Sequence, residues 1–244
     1  MELDPRVKSF ARRAMPSWLV RRLDPVEARI EAAVRAFAAA CPPGAVVLDA
    51  GCGENRFRPY FTGRRFVGCD RGVGDSRWDY SRVDVVGDLH RLAFRPGALD
   101  AALSIVTLEH LPRPDDALKE LARVLKPGGE LLLVVPLLWE VHQAPHDYFR
   151  FTRHGIRTLL ESAGFEVSRC EPLGGFFVLL ARRCVNTLAF FQGSWRWLPF
   201  VVLAPWLGLL LPLLLPALDG LDRRKDFTLG YEVRARKADP NRPA

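Results

Sequence analysis

At 244 residues, with 49% hydrophobic and 26% charged side chains, the chain is long enough for one sizeable α/β core with additions and too apolar for wholesale disorder. Its formal charge of +7 is spread over arginine pairs, at Arg12/Arg13, Arg21/Arg22, Arg64/Arg65, Arg182/Arg183 and Arg223/Arg224, without a lysine-rich tail or an aromatic-interleaved stripe. That distribution argues against nucleic acid as a partner. Five widely spaced cysteines without a CxxC pair exclude a disulfide framework and favour a reduced, cytosolic chain, and residues 1–18 lack the apolar core of an export signal.

Asp24-Pro25 opens a run to Ala40 in which Val26, Ile30, Ala33, Val34 and Phe37 recur at helical spacing, with aspartate as N-cap and proline in the first turn. Pro42-Pro43-Gly44 ends it. Residues 45–50 (AVVLDA) read as a short apolar strand entering Gly51-Cys52-Gly53, and residues 64–69 as a second strand ending at Asp70, a βαβ opening. Residues 100–106 follow as a buried strand, 115–125 as an amphipathic helix stopped by Lys126-Pro127-Gly128-Gly129, and 130–135 as a strand. Thr152 is placed to cap a helix over 153–163, with Gly164 as its left-handed stop before a strand at 165–170. Strands alternating with helices predict an α/β fold with a doubly wound, mostly parallel sheet.

In such a sheet, ligands bind at the carboxyl ends of the strands near the point where strand order reverses. VVLDAGCGEN, residues 46–55, sets the Asp49 carboxylate at a strand end, followed by glycines that let backbone approach a ligand. The turn alone reads equally as a tight strand-to-helix connection. Asp70 lies at the end of the second strand, about twenty residues beyond the glycine turn, where a carboxylate accepts both hydroxyls of a ribose. The pair favours a nucleoside ligand.

Taken in order, VVLDAGCGEN, RFVGCD, GDLHRLAF, DAALSIVTLEHL and ELARVLKPGGELLLVVP resemble the class I S-adenosylmethionine-dependent methyltransferases over residues 46–135. The resemblance implies a Rossmann-like sheet and S-adenosylmethionine as cofactor. It also implies that Asp49 and the Gly51-Cys52-Gly53 turn hold the methionine part, Asp70 the ribose, and Asp88 with Leu89 the adenine. Asn55 stands where the family commonly has a further glycine, and asparagine is the next residue most tolerant of left-handed geometry. Cys52 and Cys69 read as small packing residues without chemistry of their own.

Methyl transfer mainly requires an acceptor held in line with the sulfonium carbon, so positioning outranks proton removal. Candidates lie at the carboxyl edge: Glu109-His110 after the fourth strand and HQAPHDYFR, residues 142–150, after the fifth. From these, His110, His142, His146, Asp147 and Tyr148 form the expected catalytic set, with histidine as base and an adjacent carboxylate or tyrosine to orient it or the acceptor. The alternative is loop structure, with Tyr148, Phe149 and Phe151 packing under the helix that Thr152 caps. No metal is expected, because Pro145 disfavours a helical His142/His146 pair. The PHDYFRFT run also resembles bacterial methyltransferases of cell-surface glycan or lipid biosynthesis, where it lies over the acceptor pocket.

Residues 197–218 carry no charge and are long enough to cross a hydrocarbon core, although Pro199, Pro205, Pro212 and Pro216 interrupt regular helix. Residues 228–237 read as a strand that returns to the cytosolic sheet, and basic residues flank the insertion on both sides, so both ends are expected on one side of a membrane. A re-entrant or hairpin anchor on the cytoplasmic face follows, aided by the basic N-terminus. The expected organisation is an N-terminal helical segment (1–40), a core (41–172), an apolar insertion (173–222), a return strand (223–238) and a tail (239–244). The expected function is methyl transfer to a membrane-associated lipid, quinone-like or lipid-linked saccharide acceptor. The alternatives are a soluble, cytoplasmic small-molecule methyltransferase with an apolar lid or dimer face, and a catalytically silent protein that recruits a partner to a membrane.

Overall fold

The computed structural model describes residues 15–74, 77–192 and 197–239. Arg12/Arg13, Arg196 and the predicted tail from residue 240 lie outside the described residues. Two compact units emerge, one of Ala32–Glu171 with Gly230–Ala244 and one of Met1–Glu31 with Pro172–Leu229.

The first unit holds a seven-stranded sheet. Its strands are β1 (Val46–Ala50), β2 (Arg65–Asp70), β3 (Val85–Val86), β4 (Leu99–Ile105), β5 (Leu125–Pro136), β6 (Phe165–Pro172) and β7 (Gly230–Lys237), in the spatial order β3-β2-β1-β4-β5-β7-β6. β1 pairs in parallel with β2 and β4, β2 with β3 and β4 with β5, while β7 runs antiparallel to β5. This is the expected doubly wound, mostly parallel sheet. Its central strands are near-continuous apolar runs because helices cover both faces; Val47, Leu48, Ala101, Ala102, Leu103 and Leu131 through Val135 are all buried.

The caps match their sequence signals. At the start of the helix Pro25–Ala40, the Glu27 amide donates to Asp24 Oδ1 at 3.2 Å. At the start of Arg153–Ser162, the Gly155 amide donates to Thr152 Oγ1 at 3.0 Å, and Gly164 adopts φ 89° beyond its end.

Two predicted details differ. Between β1 and β2 the chain forms a 3₁₀ turn, Arg58–Phe61, where the sequence suggested the helix of a βαβ unit. Left-handed Asn55 (φ 62°) and Pro59, which has no amide proton, leave too short a stretch for an α-helix. The Lys126-Pro127-Gly128-Gly129 segment does more than stop the helix Pro114–Val124. It lies within β5, where Leu125 already pairs with Leu99 and the register then shifts around Gly128, at φ 73°.

In the second unit, α-helix Phe176–Thr187 packs on a 25-residue helix, Trp197–Leu221. The latter begins as α-helix, widens to a π-helical stretch over Ala204–Leu210, returns to α over Leu211–Leu214 and tightens to 3₁₀ over Leu215–Leu221. Pro205, Pro212 and Pro216 each remove a backbone donor, which accounts for the changes of winding. Much of its surface is apolar and exposed, including Trp197, Leu198, Val202, Trp206 and Leu214. Buried Asp219 accepts hydrogen bonds from the amides of Gly175 (2.9 Å) and Val178 (3.2 Å), capping the helix Phe176–Thr187.

Replacing Thr152 by alanine removes an exposed cap and is expected to cost about 1 kcal/mol. Asp219→Ala strands buried amides and is expected to cost about 2–3 kcal/mol. Denaturant unfolding of the two variants checks the order; equal losses overturn it.

Candidate active site

Asp49, next to last in β1, is almost wholly buried, and its Oδ2 has no hydrogen-bond partner among the described residues. Burial, reinforced by the charge of Asp70 and opposed by Arg56 and Arg58, pushes its carboxyl up to about 7. The chain then turns through Gly51 at φ 84° and Gly53 at φ 52°. A Cβ on Gly51 would lie 2.2 Å from Thr107 Cγ2, and one on Gly53 would lie 2.9 Å from the Trp78 ring, so neither position has room for a side chain.

Asp70 is fixed at the end of β2 by two amides, Gly53 N to Oδ2 at 2.9 Å and Gly72 N to Oδ1 at 2.8 Å. Each oxygen keeps further acceptor capacity. After β3, Asp88 Oδ1 accepts from the His90 amide (2.9 Å) and meets His90 Nδ1 (2.6 Å), with Arg71 3.8 Å from Oδ2. Partial burial acts to raise the Asp88 carboxyl, but these interactions outweigh it and hold it below the usual range. Leu89 points into the core, leaving its backbone at the site. Burial raises the thiols of Cys52 and Cys69, the latter to about 11, which keeps both protonated and inert.

At the ends of β4 and β5 the second group of residues assembles. Val106 takes φ 54°, a strained conformation for a β-branched residue, and Thr107 leads into the short turn Leu108–His110. The segment after β5 is fastened to that turn, because the amides of Tyr148 and Phe149 both donate to the Glu109 carbonyl, at 2.8 and 3.3 Å. The rings of His110 and His142 meet edge to face with centroids 4.7 Å apart. Their Nε2 atoms stand 3.8 and 3.5 Å from Oε1 of buried Glu109. Burial disfavours the charged form of His142, yet the nearby Glu109 carboxylate, the Glu140 carbonyl and the charge of Asp147 prevail and raise its pKa.

Of the predicted catalytic set, His110 and His142 thus converge on Glu109. His146 and Tyr148 form a separate, exposed pair, with Nδ1 and the phenol oxygen 3.1 Å apart. Asp147, expected to orient a histidine or the acceptor, accepts from the His142 amide at 2.9 Å and is itself anchored. Arg150 grips both its oxygens, at 2.5 and 2.7 Å, and holds its carboxyl down to about 2, where it is a poor base. Sequence reasoning did not single out Arg150 or Thr107, whose roles depend on contacts between loops.

Residues 48–133 match the model of a methyltransferase-domain family. Over 115 residues the chain is 37% identical to a tRNA (carboxymethyluridine(34)-5-O)-methyltransferase of Arabidopsis thaliana, covering 45% of this chain and 28% of that protein. Over 112 residues it is 33% identical to the tRNA (carboxymethyluridine(34)-5-O)-methyltransferase ALKBH8 of Mus musculus, covering 44% and 16%. The chain therefore spans less than a third of the length of either relative. Among solved structures, the 4+2 cyclase SpnF superposes with TM-score 0.56 at 22% identity, covering 86% of this chain and 81% of that one. Phosphoethanolamine N-methyltransferase 2 of Haemonchus contortus, in complex with S-adenosyl-L-methionine, gives 0.53 at 16% identity, covering 86% and 52%.

Residues 48–133 carry a methyltransferase domain on a Rossmann-like sheet, and S-adenosylmethionine is the cofactor expected of it. The residues present fit that cofactor: an unpartnered buried carboxylate at Asp49, a side-chain-free turn at Gly51 and Gly53, and an anchored carboxylate at Asp70. The expectation that nucleic acid plays no part is overturned by the tRNA methyltransferases among the relatives.

Asp49 also makes a pH prediction. The folded protein binds its proton more tightly than the unfolded chain, whose carboxyl titrates near 3.8, so stability falls as pH rises from about 4 through about 7. Asp49→Asn is expected to raise the melting temperature at pH 8, with a free-energy gain on the order of 4 kcal/mol that shrinks toward pH 4. Thermal melts across this range test it, and parallel curves for the two proteins would refute it.

Proposed function

We propose that this chain transfers the methyl group of S-adenosylmethionine to a membrane-associated acceptor, a lipid, a quinone-like molecule or a lipid-linked saccharide, while attached to the cytoplasmic face of a membrane. The observation that carries the chemistry is the joint presence of Asp49, the glycine turn and Asp70 along one sheet edge. The cofactor supplies a methyl group made electrophilic by its sulfonium charge. Asp49 offers a carboxylate to a cationic amino group, and the bare backbone at Gly51 and Gly53 allows close approach. Asp70 accepts from ribose hydroxyls, and the Asp88–Leu89 backbone borders the base. His146 and Tyr148, exposed after β5 and 3.1 Å apart, would hold an acceptor hydroxyl.

The location rests on Trp197–Leu221. A helix of this length reaches about 37 Å if regular, against about 30 Å of hydrocarbon, and its exposed tryptophans, valines and leucines suit lipid better than water. β6 and β7 flank the insertion and are sheet neighbours, so both its ends stay on one side. That supports re-entrant or interfacial attachment over a complete crossing.

A second reading, methylation of an RNA nucleoside, is favoured by the relatives named as tRNA methyltransferases. Calorimetry with S-adenosylmethionine is expected to show saturable binding that weakens at least tenfold in Asp70→Ala, through loss of charge-assisted hydrogen bonds; absence of binding by folded protein would defeat both readings. Flotation with anionic vesicles is expected to carry the protein upward. Label transfer from the cofactor to a lipid extract but not to total tRNA supports the membrane acceptor, and the reverse pattern replaces it with the RNA reading.

A further inference from the structure

Glu109 is fully buried, and neither carboxylate oxygen meets a hydrogen-bond donor among the described residues. An isolated buried carboxylate is costly unless a cation stands beside it. The groups facing Glu109 are the Nε2 atoms of His142 and His110, themselves buried and without hydrogen-bond partners. All three potential ligand atoms lie within 4.8 Å of one another.

Both imidazoles are turned the same way. Nδ1 of His110 lies 2.5 Å from the carbonyl oxygen of His146, and Nδ1 of His142 lies 3.1 Å from that of Glu140. A carbonyl only accepts, so Nδ1 carries the proton in each ring, and the neutral tautomer leaves its lone pair on Nε2, on the Glu109 side. Two lone pairs and an anion crowded together repel, and a cation among them makes each contact attractive. An Nδ1–H bond to a carbonyl is also the outer-shell contact that orients metal-binding histidines.

We propose that Glu109, His110 and His142 form a divalent metal site of the two-histidine, one-carboxylate kind, suited to Zn²⁺ and its transition-metal neighbours and leaving at least one coordination position open. Tetrahedral ligation at about 2.0–2.1 Å sets ligand atoms about 3.3 Å apart. The 3.5 and 3.8 Å separations from Glu109 approach this with small side-chain adjustments. Imidazole donors select against Mg²⁺, which prefers oxygen ligands. The sequence argument against a metal concerned His142 with His146, whereas this site pairs His142 with residues of the β4 turn. Metal binding stands apart from the proposed function; only the use of the open position, to hold an oxygen or nitrogen of the acceptor, rests on that function.

The test uses the full chain in mild detergent, stripped with chelator and titrated with Zn²⁺ and Mg²⁺ by calorimetry and with Co²⁺ by visible absorption. One Zn²⁺ per chain, a Co²⁺ ligand-field spectrum and no comparable Mg²⁺ binding are expected. Glu109→Gln and His142→Ala should each weaken Zn²⁺ binding at least ~100-fold, the upper end of the loss from disturbing an outer partner alone. His154→Ala and Cys184→Ser, remote in sequence from these ligands, should leave it unchanged. Failure of the folded native protein to bind Zn²⁺, as a protonated His142 paired with Glu109 would produce, overturns the assignment, and so does binding that survives both ligand substitutions. S-adenosylmethionine titrated into the same samples separates the two ideas: cofactor binding without metal binding sinks only the metal site, and the converse sinks only the functional reading.

Discussion

β1 has β2 on one side and β4 on the other, and the chemistry of the first unit depends on that division. The chain leaves β1 toward one edge of the sheet and later returns to build on the opposite side, so the connecting loops part above the carboxyl end of β1. Parallel register sets Asp49 beside Gly68 of β2 and Leu103 of β4. Contact of Thr107 with Gly51, whose carbonyl lies 3.4 Å from Thr107 Oγ1, ties the glycine turn to the end of β4. Two and three residues further on stand Glu109 and His110. The glycine turn with its carboxylates and the His110–His142 pair therefore share one end of the sheet through backbone pairing.

That edge is held at a cost to stability. Asp49 and Glu109 are acids with hardly any exposure, and Val106 keeps a positive φ that strains a β-branched residue by about 1–3 kcal/mol. The surrounding sheet restrains them. Val106 donates its amide to the Val134 carbonyl at 2.8 Å, and the side chains of Leu131 to Val135 are shielded from water. Polar groups left incomplete within a well-packed frame mark the places where binding, and not folding, completes the interactions.

Much of this was legible in the residues, and the reason differs by element. Strands such as VVLDA and LDAALSI are visible because a sheet covered on both faces demands unbroken apolar runs. Thr152 and Gly164 announce a helix through local capping chemistry. Asp49, Gly51, Gly53 and Asp70 are readable because one turn and one strand end carry them. The convergence of Glu109, His110 and His142 is not readable in the same way, since it arises from a loop after β5 folding against the turn after β4. Likewise, the fastening of Asp147 by Arg150 cannot be told from catalysis by spacing alone. The 3₁₀ turn after β1 escaped because Asn55 and Pro59 act through backbone geometry and not through apolar pattern.

The place of β7 has a consequence for biosynthesis. β7 sits between β5 and β6, yet it is made after both, beyond the whole apolar insertion. A nascent chain that has completed β6 holds a sheet with β5 as an open edge, and β6 has no neighbour to join. The ribosome must release the hydrophobic helices before the last strand slots into the gap, so their apolar surface is exposed while the sheet is still unfinished. Closure of the sheet is therefore a late step, one that waits on synthesis of the whole insertion.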